Sequence, residues 1–120
     1  MITLLKSKIH RATVTKCDLT YDGSISIGSK LRRAANIAEY EQVHVWNVTN
    51  GERFVTYVID GGKNNDIAIN GAGARLCQPG DLVIIATFVQ VDVSSASAPP
   101  RKPLIIQVDS NNVTRDNVTS

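Results

Sequence analysis

The amino-acid sequence predicts a compact, mainly β barrel, and three observations carry that prediction. About seven short runs alternate apolar and polar residues with the period of a strand, turn signals separate them, and one stretch alone repeats at helical spacing. A helical bundle would need several long stretches of period 3.6, and a βαβ sheet would need helices between its strands; the sequence has neither.

In chain order, His10 to Thr15 sets Ala12 and Val14 against Arg11, Thr13 and Thr15, the alternation of a half-buried strand. Tyr21-Asp22-Gly23 is a turn, because Asp-Gly readily supplies positive φ. Ser24 to Ile27 is the next strand, with Ile25 and Ile27 on one face. Ser29 reads as the N-cap of a helix from Lys30 to Ala38, whose Leu31, Ala34, Ala35 and Ala38 fall at i, i+3, i+4 and i+7. Two strand-like runs, Val43 to Trp46 and Arg53 to Ile59, flank Asn50-Gly51, a strong hairpin signal, and Gly61-Gly62 ends the second. Ile67-Ala68-Ile69 leads into Asn70-Gly71-Ala72-Gly73-Ala74, small residues where something must approach the backbone closely. Pro79-Gly80-Asp81 turns the chain into the apolar strand Leu82 to Val89. Ser94 to Pro103 reads as a connector, Leu104 to Val108 as an edge strand, and residues 109–120 as a disordered tail, leaving one domain over 1–108.

With 120 residues, 42% hydrophobic and 20% charged, the chain can bury one core and has no length for a separate cofactor module. Its longest apolar stretch, Leu82 to Val89, covers eight residues against the about 20 of a spanning helix, so no membrane segment is expected. Met1 to Lys8 lacks the apolar region and cleavage site of a secretory signal, which makes the cytoplasm the expected compartment. There Cys17 and Cys77 are expected as thiols, with a disulfide formally open. With no CxxC, and only His10 and His44 as histidines, zinc and redox spacings are missing and no metal is expected. Charge is uneven: residues 1–33 carry seven Lys or Arg against two Asp, +5, and the remainder six against nine, −3. That basic end could face nucleic acid, a phosphate or a small carboxylate.

Most catalytic constellations are missing. Gly71-Ala72-Gly73 is not a dinucleotide fingerprint, since Leu76 occupies the third glycine's place. Neither a P-loop nor HExxH occurs, and Glu39 with Glu41, the one close carboxylate pair, suits a solvated helix end. The serines and the two histidines have no spacing that suggests a nucleophile and its base. Asn47-Val48-Thr49, Asn112-Val113-Thr114 and Asn117-Val118-Thr119 match the glycosylation sequon and are read as chance matches in a chain without a secretory signal. Tyr21-Asp22-Gly23-Ser24-Ile25 offers more. A glycine before a serine in a tight turn leaves its carbonyl unshielded by any Cβ, so the hydroxyl can reach the preceding peptide carbon and cleave the chain. Gly28-Ser29 is a second such pair, and only company elsewhere singles out the first.

That company is Lys8-Ile9-His10-Arg11-Ala12, Trp46 to Phe54, Thr56-Tyr57 and Asn70-Gly71-Ala72-Gly73-Ala74-Arg75. Together with Tyr21 to Ile25, over residues 1 to about 90, these segments resemble the pyruvoyl-dependent aspartate 1-decarboxylases in order and approximate spacing. The resemblance implies a double-psi β-barrel with one or two short helices, assembled as a homotetramer with active sites between neighbouring subunits. It implies that Ser24 is consumed. Its oxygen attacks the Gly23 carbonyl, elimination breaks the ester so formed, and hydrolysis leaves a pyruvoyl group at the head of residues 24–120, separated from residues 1–23. A protein factor that assists this cleavage is a candidate partner.

The resemblance also assigns roles. Thr56 matches the residue that stabilises the developing oxyanion, and Tyr57 the proton donor in decarboxylation. The pyruvoyl group takes the place of pyridoxal phosphate: through a Schiff base with L-aspartate it accepts the electrons of the leaving α-carboxylate, giving β-alanine for pantothenate and coenzyme A. Lys8 and Arg53 would supply cations for the substrate carboxylates, and Arg53 shares a strand face with Tyr57. Gly71, Ala72 and Gly73 match the segment whose backbone N–H groups lie against substrate, and His10 and Asn70 match residues near the site. Adjacent Thr56 and Tyr57 face opposite sides of a regular strand, so both serve one site only if the strand bends or the site lies between subunits.

Two positions depart from the family pattern: Gly73 stands where alanine is common, which should loosen that loop slightly, and Gly28 replaces a frequent acidic residue, an exchange expected to be silent. A rival reading is a DNA-binding β-barrel regulator using Lys6, Lys8, Lys16, Lys30, Arg32 and Arg33, with binding that falls steeply with salt. It gives no reason for Gly23-Ser24 or Thr56-Tyr57. A third is an inactive relative that serves only as a structural subunit.

Overall fold

A computed structural model describes residues 1–92, 94 and 102–115. Its strands are β1 (Ile2–Thr13), β2 (Lys16–Asp18), β3 (Ser24–Ile27), β4 (Gln42–Asn47), β5 (Arg53–Asp60), β6 (Ile67–Asn70), β7 (Leu82–Val91) and β8 (Leu104–Gln107). One helix, α1 (Ser29–Ala34), follows β3, and a 3-10 helix, Gly71–Leu76, follows β6. The strands join in the order β2-β6-β3-β5-β4-β7-β1-β8. Because β1 and β2 are one run of chain broken only at Val14 and Thr15, yet lie near opposite ends of that order, the sheet has to roll until its ends meet. Thr15 makes the junction: its N–H donates to the Ile67 carbonyl at 2.8 Å, and the Ile67 N–H donates to its Oγ1 at 3.0 Å. The inner face is aliphatic, with Ile9, Val14, Ile25, Ile27, Val43, Val45, Val58, Ile67, Ile69, Val83 and Ile85 all fully buried. Each contributes about 1.5–3 kcal/mol of hydrophobic stabilisation.

The Asn50-Gly51 hairpin forms as predicted: β4 and β5 are antiparallel with Trp46 opposite Arg53, and Gly51 sits at φ 81°. β1 is longer than its alternation suggests, starting at Ile2 rather than His10. Its pairing with β7 slips between Leu5 and Ser7 and again between Ile9 and Ala12, and each slip interrupts the period-two pattern by which a strand is read. Arg11, at φ 62°, lies in the second slip. β2 has only three residues, too few for an alternation to show.

The helix is shorter than expected and differently capped. Gly28, not Ser29, holds the N-cap position, and the helix stops at Ala34 instead of running to Ala38. Asn36 at φ 55° ends it: the Asn36 N–H reaches the Arg33 carbonyl and the Ile37 N–H the Arg32 carbonyl, the two bonds of a Schellman turn. The turn brings Ile37 into the core and leaves Ala38 exposed.

The tail is the larger correction. Residues 109–115 are packed rather than disordered, and only residues 116–120 of that stretch lie outside the described residues, as does most of the Ser94–Pro103 connector. Asp109 nucleates a turn, its Oδ1 accepting from the Asn111 and Val113 N–H groups, and Val108 bridges Thr114. Asn112, only 2% exposed, then clamps the end of β1: its Oδ1 accepts from the Thr13 N–H at 2.7 Å, and its Nδ2 donates to the Thr13 and Asn65 carbonyls. The Asp-Ser-Asn-Asn run is turn chemistry that a reading for composition alone takes as disorder. With the amides of Asn47 and Asn112 buried and engaged, neither of those two sequons presents an acceptor.

Gly28 is not silent either. A Cβ there would stand 1.9 Å from the Asn64 carbonyl oxygen, so the β5–β6 loop occupies the space a side chain would need. Gly28→Ala should therefore destabilise the fold by about 1–3 kcal/mol through overpacking, read as a lower urea midpoint; an unchanged midpoint would mean that the loop yields without cost.

Candidate active site

The Gly23–Ser24 junction lies where the β2–β3 loop enters β3. The core claims Ile25 and Ile27, which turns Ser24 and Ser26 to the outer face of the sheet. Ser24 is nevertheless 2% exposed. Its Oγ donates to the Asp22 carbonyl at 3.3 Å and accepts from Asn70 Nδ2 at 3.0 Å. Asn70 stands directly opposite Ser24 across the β3–β6 ladder, so the two side chains meet without distortion. A Cβ built on Gly23 would meet nothing within 4 Å, while one on Gly71, at φ 71°, would meet Gly23 Cα at 2.6 Å and Gly23 N at 2.7 Å. The close approach expected at the small-residue run is thus real, and at Gly71 the approaching group is the backbone of Gly23. Gly73 is packed rather than loose, since a Cβ there would lie 2.8 Å from Phe54 Cε2. Ala72 is exposed.

Strand register accounts for Thr56 and Tyr57. The parallel β3–β5 pairing begins with Ile25 opposite Val58, so Tyr57 and Thr56 lie one and two residues before the point where the strands join, on the side from which Gly23 and Ser24 enter β3. Phe54, Thr56 and Val58 form the more buried face of β5; Arg53, Val55 and Tyr57 are exposed. Thr56 and Tyr57 thus face opposite sides of β5, and Tyr57 shares the outer face with Ser24.

Arg53, Lys8 and His10 are not gathered here. Arg53 lies four residues from Tyr57, about 13 Å along the strand, with its guanidinium carbon 4.9 Å from the Trp46 ring centroid. Lys8 pairs with Ala86 of β7, Ala86 with His44 of β4, and His44 with Val55 of β5. That places three strand spacings, about 14 Å measured along the curved sheet, between Lys8 and β5. His10 is half-buried with Nδ1 sealed from solvent and without a hydrogen-bond partner; burial, then the Lys8 and Arg11 charges, hold its pKa below the ordinary histidine value. Cys17 and Cys77 are free thiols: Cys17 Sγ donates to the Cys77 carbonyl at 3.4 Å, and burial pushes Cys77 up to about 11. Of the six basic residues of the DNA-binding reading, Lys6 is tied to Glu41 at 2.7 Å and Arg32 to the Ile37 carbonyl and Asp60. Among the described residues no group of three His, Cys, Asp or Glu side chains could hold a metal, and no helix is long and apolar enough to cross a membrane.

Two residues beside the junction went unread in the sequence. Ser26 Oγ accepts from the same Asn70 Nδ2, at 3.3 Å, and Phe54 packs on Gly73. The alternation of Ser24 with Ser26 was the available signal for the first; nothing local announces the second.

Fold and site together define a small rolled-sheet protein with an exposed glycine joined to a buried, hydrogen-bonded serine at the entry to β3. A sequence model of the aspartate decarboxylase family matches residues 1–115. The chain is 54% identical over 111 residues to an aspartate 1-decarboxylase of Albidiferax ferrireducens, covering 92% of this chain and 81% of that one. It is 54% identical over 110 residues to one from Legionella pneumophila, with 91% and 81% covered, and 53% identical over 111 residues to aspartate 1-decarboxylase 2 of a Polaromonas species, with 92% and 86% covered. The chain belongs to the aspartate decarboxylase family, and its mainly β rolled sheet is consistent with a double-psi β-barrel.

Proposed function

We propose that this chain is an aspartate 1-decarboxylase, a carboxy-lyase that converts L-aspartate to β-alanine and carbon dioxide, with a pyruvoyl group that it makes from its own Ser24. The observation that carries the reading is the Gly23–Ser24 junction itself, with open space where a glycine Cβ would stand, a sheltered hydroxyl held by Asn70, and the neighbouring strand β5 carrying Thr56 and Tyr57 just before it joins β3. Ser24 Oγ attacks the Gly23 carbonyl carbon, the peptide C–N bond breaks, and the hydroxyl proton ends on the freed nitrogen, leaving an ester. Loss of the Ser24 Cα proton then expels the Gly23 carboxylate on residues 1–23. Addition of one water and loss of ammonia leave the ketone on residues 24–120. Thr56 supports the oxyanion of the first step, a role worth about 2.7–4 kcal/mol in other enzymes.

Once formed, the pyruvoyl group supplies an electron sink for the carboxylate that departs. The chain's residues do the rest. Tyr57 holds a proton on the outer face beside position 24, Arg53 and Lys8 bind carboxylates, and the Gly71–Gly73 backbone lies against the substrate, with His10 and Asn70 in support. We infer a homotetramer with sites between subunits; the three-strand separation of Lys8 from β5 along the sheet supports a second copy contributing to each site. We assign the protein to the cytoplasm, where Cys17 and Cys77 persist as thiols and β-alanine feeds pantothenate and coenzyme A.

Denaturing mass spectrometry of aged protein tests the reading. Two pieces, 1–23 and 24–120, are expected, whose summed mass exceeds that of the intact chain by about 1 Da, since water enters and ammonia leaves. A single full-length species, or pieces summing to about 18 Da above the chain as in plain hydrolysis, overturns it.

A further inference from the structure

Asn70 has one amide nitrogen and two hydroxyl neighbours. Its Nδ2 donates to Ser24 Oγ at 3.0 Å and to Ser26 Oγ at 3.3 Å, so both amide protons are placed, one on each serine. The arrangement follows from the ladder. Ser24 is directly opposite Asn70, Ser26 is opposite Ala68, and the small Ala68 side chain leaves the diagonal from Asn70 to Ser26 open. Ser24 spends its own proton on the Asp22 carbonyl, so toward Asn70 it can offer only a lone pair. The amide must therefore turn its nitrogen, not its oxygen, to the junction. Ser24 alone does not hold the amide in that plane, because its hydroxyl could swing to donate to Oδ1 instead. A second hydroxyl accepting on the nitrogen side raises the cost of that flip, because two hydroxyls rather than one would then have to turn and donate to Oδ1. Exposure differs in the same sense: Ser24 is sealed, whereas Ser26 is half-buried and lines an outer groove of about 360 Å³ with Tyr21, Asp18 and Asn70.

We propose that Ser26 is a positioning residue for self-cleavage: it fixes the Asn70 amide so that an N–H faces Ser24 Oγ. That bond strengthens as the hydroxyl proton leaves and negative charge gathers on Oγ, before the bond to the Gly23 carbonyl carbon is complete. The inference rests on the cleavage reading above and adds a residue to it. No side chain other than Asn70 and Ser24 is needed for Ser26 to act, and its effect is confined to the step in which Ser24 Oγ is the nucleophile.

The test is the rate at which the freshly made full chain disappears, followed by denaturing mass spectrometry at fixed temperature, in the parent, Ser26→Ala, Ser26→Thr, Asn70→Ala and the Ser26→Ala/Asn70→Ala double variant. Ser26→Ala should slow cleavage about two- to tenfold, the factor implied by the net worth of one neutral hydrogen bond. Ser26→Thr, which keeps the hydroxyl, should cleave within about twofold of the parent, and adding Ser26→Ala to Asn70→Ala should slow cleavage no further. A merely structural Ser26 would slow cleavage equally with or without Asn70, and that result overturns the proposal, as does parental speed in Ser26→Ala. A parent that never cleaves shows itself before any variant is made and removes the cleavage reading along with the role of Ser26.

Discussion

Ser24→Ala is expected to remain one uncut chain indefinitely and to release no β-alanine from L-aspartate. The alanine keeps the β3 backbone and removes only an oxygen whose partners are the Asp22 carbonyl and Asn70 Nδ2, so the cost to the fold is about 1–2 kcal/mol and the sheet survives. What disappears is the atom proposed to attack the Gly23 carbonyl. Loss of processing and loss of turnover must therefore coincide in a variant that still gives a cooperative thermal transition. Turnover at the parental rate in that protein would show that position 24 carries no chemistry.

Tyr57→Phe separates the two stages. Tyr57 lies on the exposed face of β5 and Thr56 on the more buried one, so removing the phenolic oxygen leaves Thr56, the group assigned to the cleavage step, in place. Chain cleavage should proceed within a few-fold of the parent. Decarboxylation should fall by about 100- to 10,000-fold, the range of a lost general acid. The two readouts come from one sample, mass spectrometry for the cut and β-alanine release per pyruvoyl-bearing chain for turnover. Equal losses in both would place Tyr57 in cleavage, and undiminished turnover would hand the proton to another group.

Strand alternation made β3, β4, β5 and β7 legible within a few residues, because each presents a clean aliphatic face to one core. The first half of β1 was not legible, since slips in pairing move its side chains across faces in the middle of the strand. Nor was the packed turn at 109–115, whose stability comes from Asn112 reaching Thr13, 99 positions away in the chain. The candidate site divides the same way. Ser24 and Asn70 were available from local motifs and the family resemblance, but their pairing is a property of ladder register. The distance from Lys8 to β5 depends on strand order across the sheet, which no local pattern encodes.

The roll of the sheet brings a final consequence. Both β1 and β2 lie on the Met1-to-Gly23 side of the scissile bond, and they grip β7, β8 and β6. If the chain is cut there as proposed, the short piece stays on as a non-covalent partner that contributes Ile9, Ala12 and Val14 to the core, and two molecules must find each other again after any complete unfolding. Renaturation then becomes second order in protein, while the uncut precursor refolds alone. Such a protein assembles once, before its own scission, and afterwards survives through slow dissociation rather than through repeated refolding.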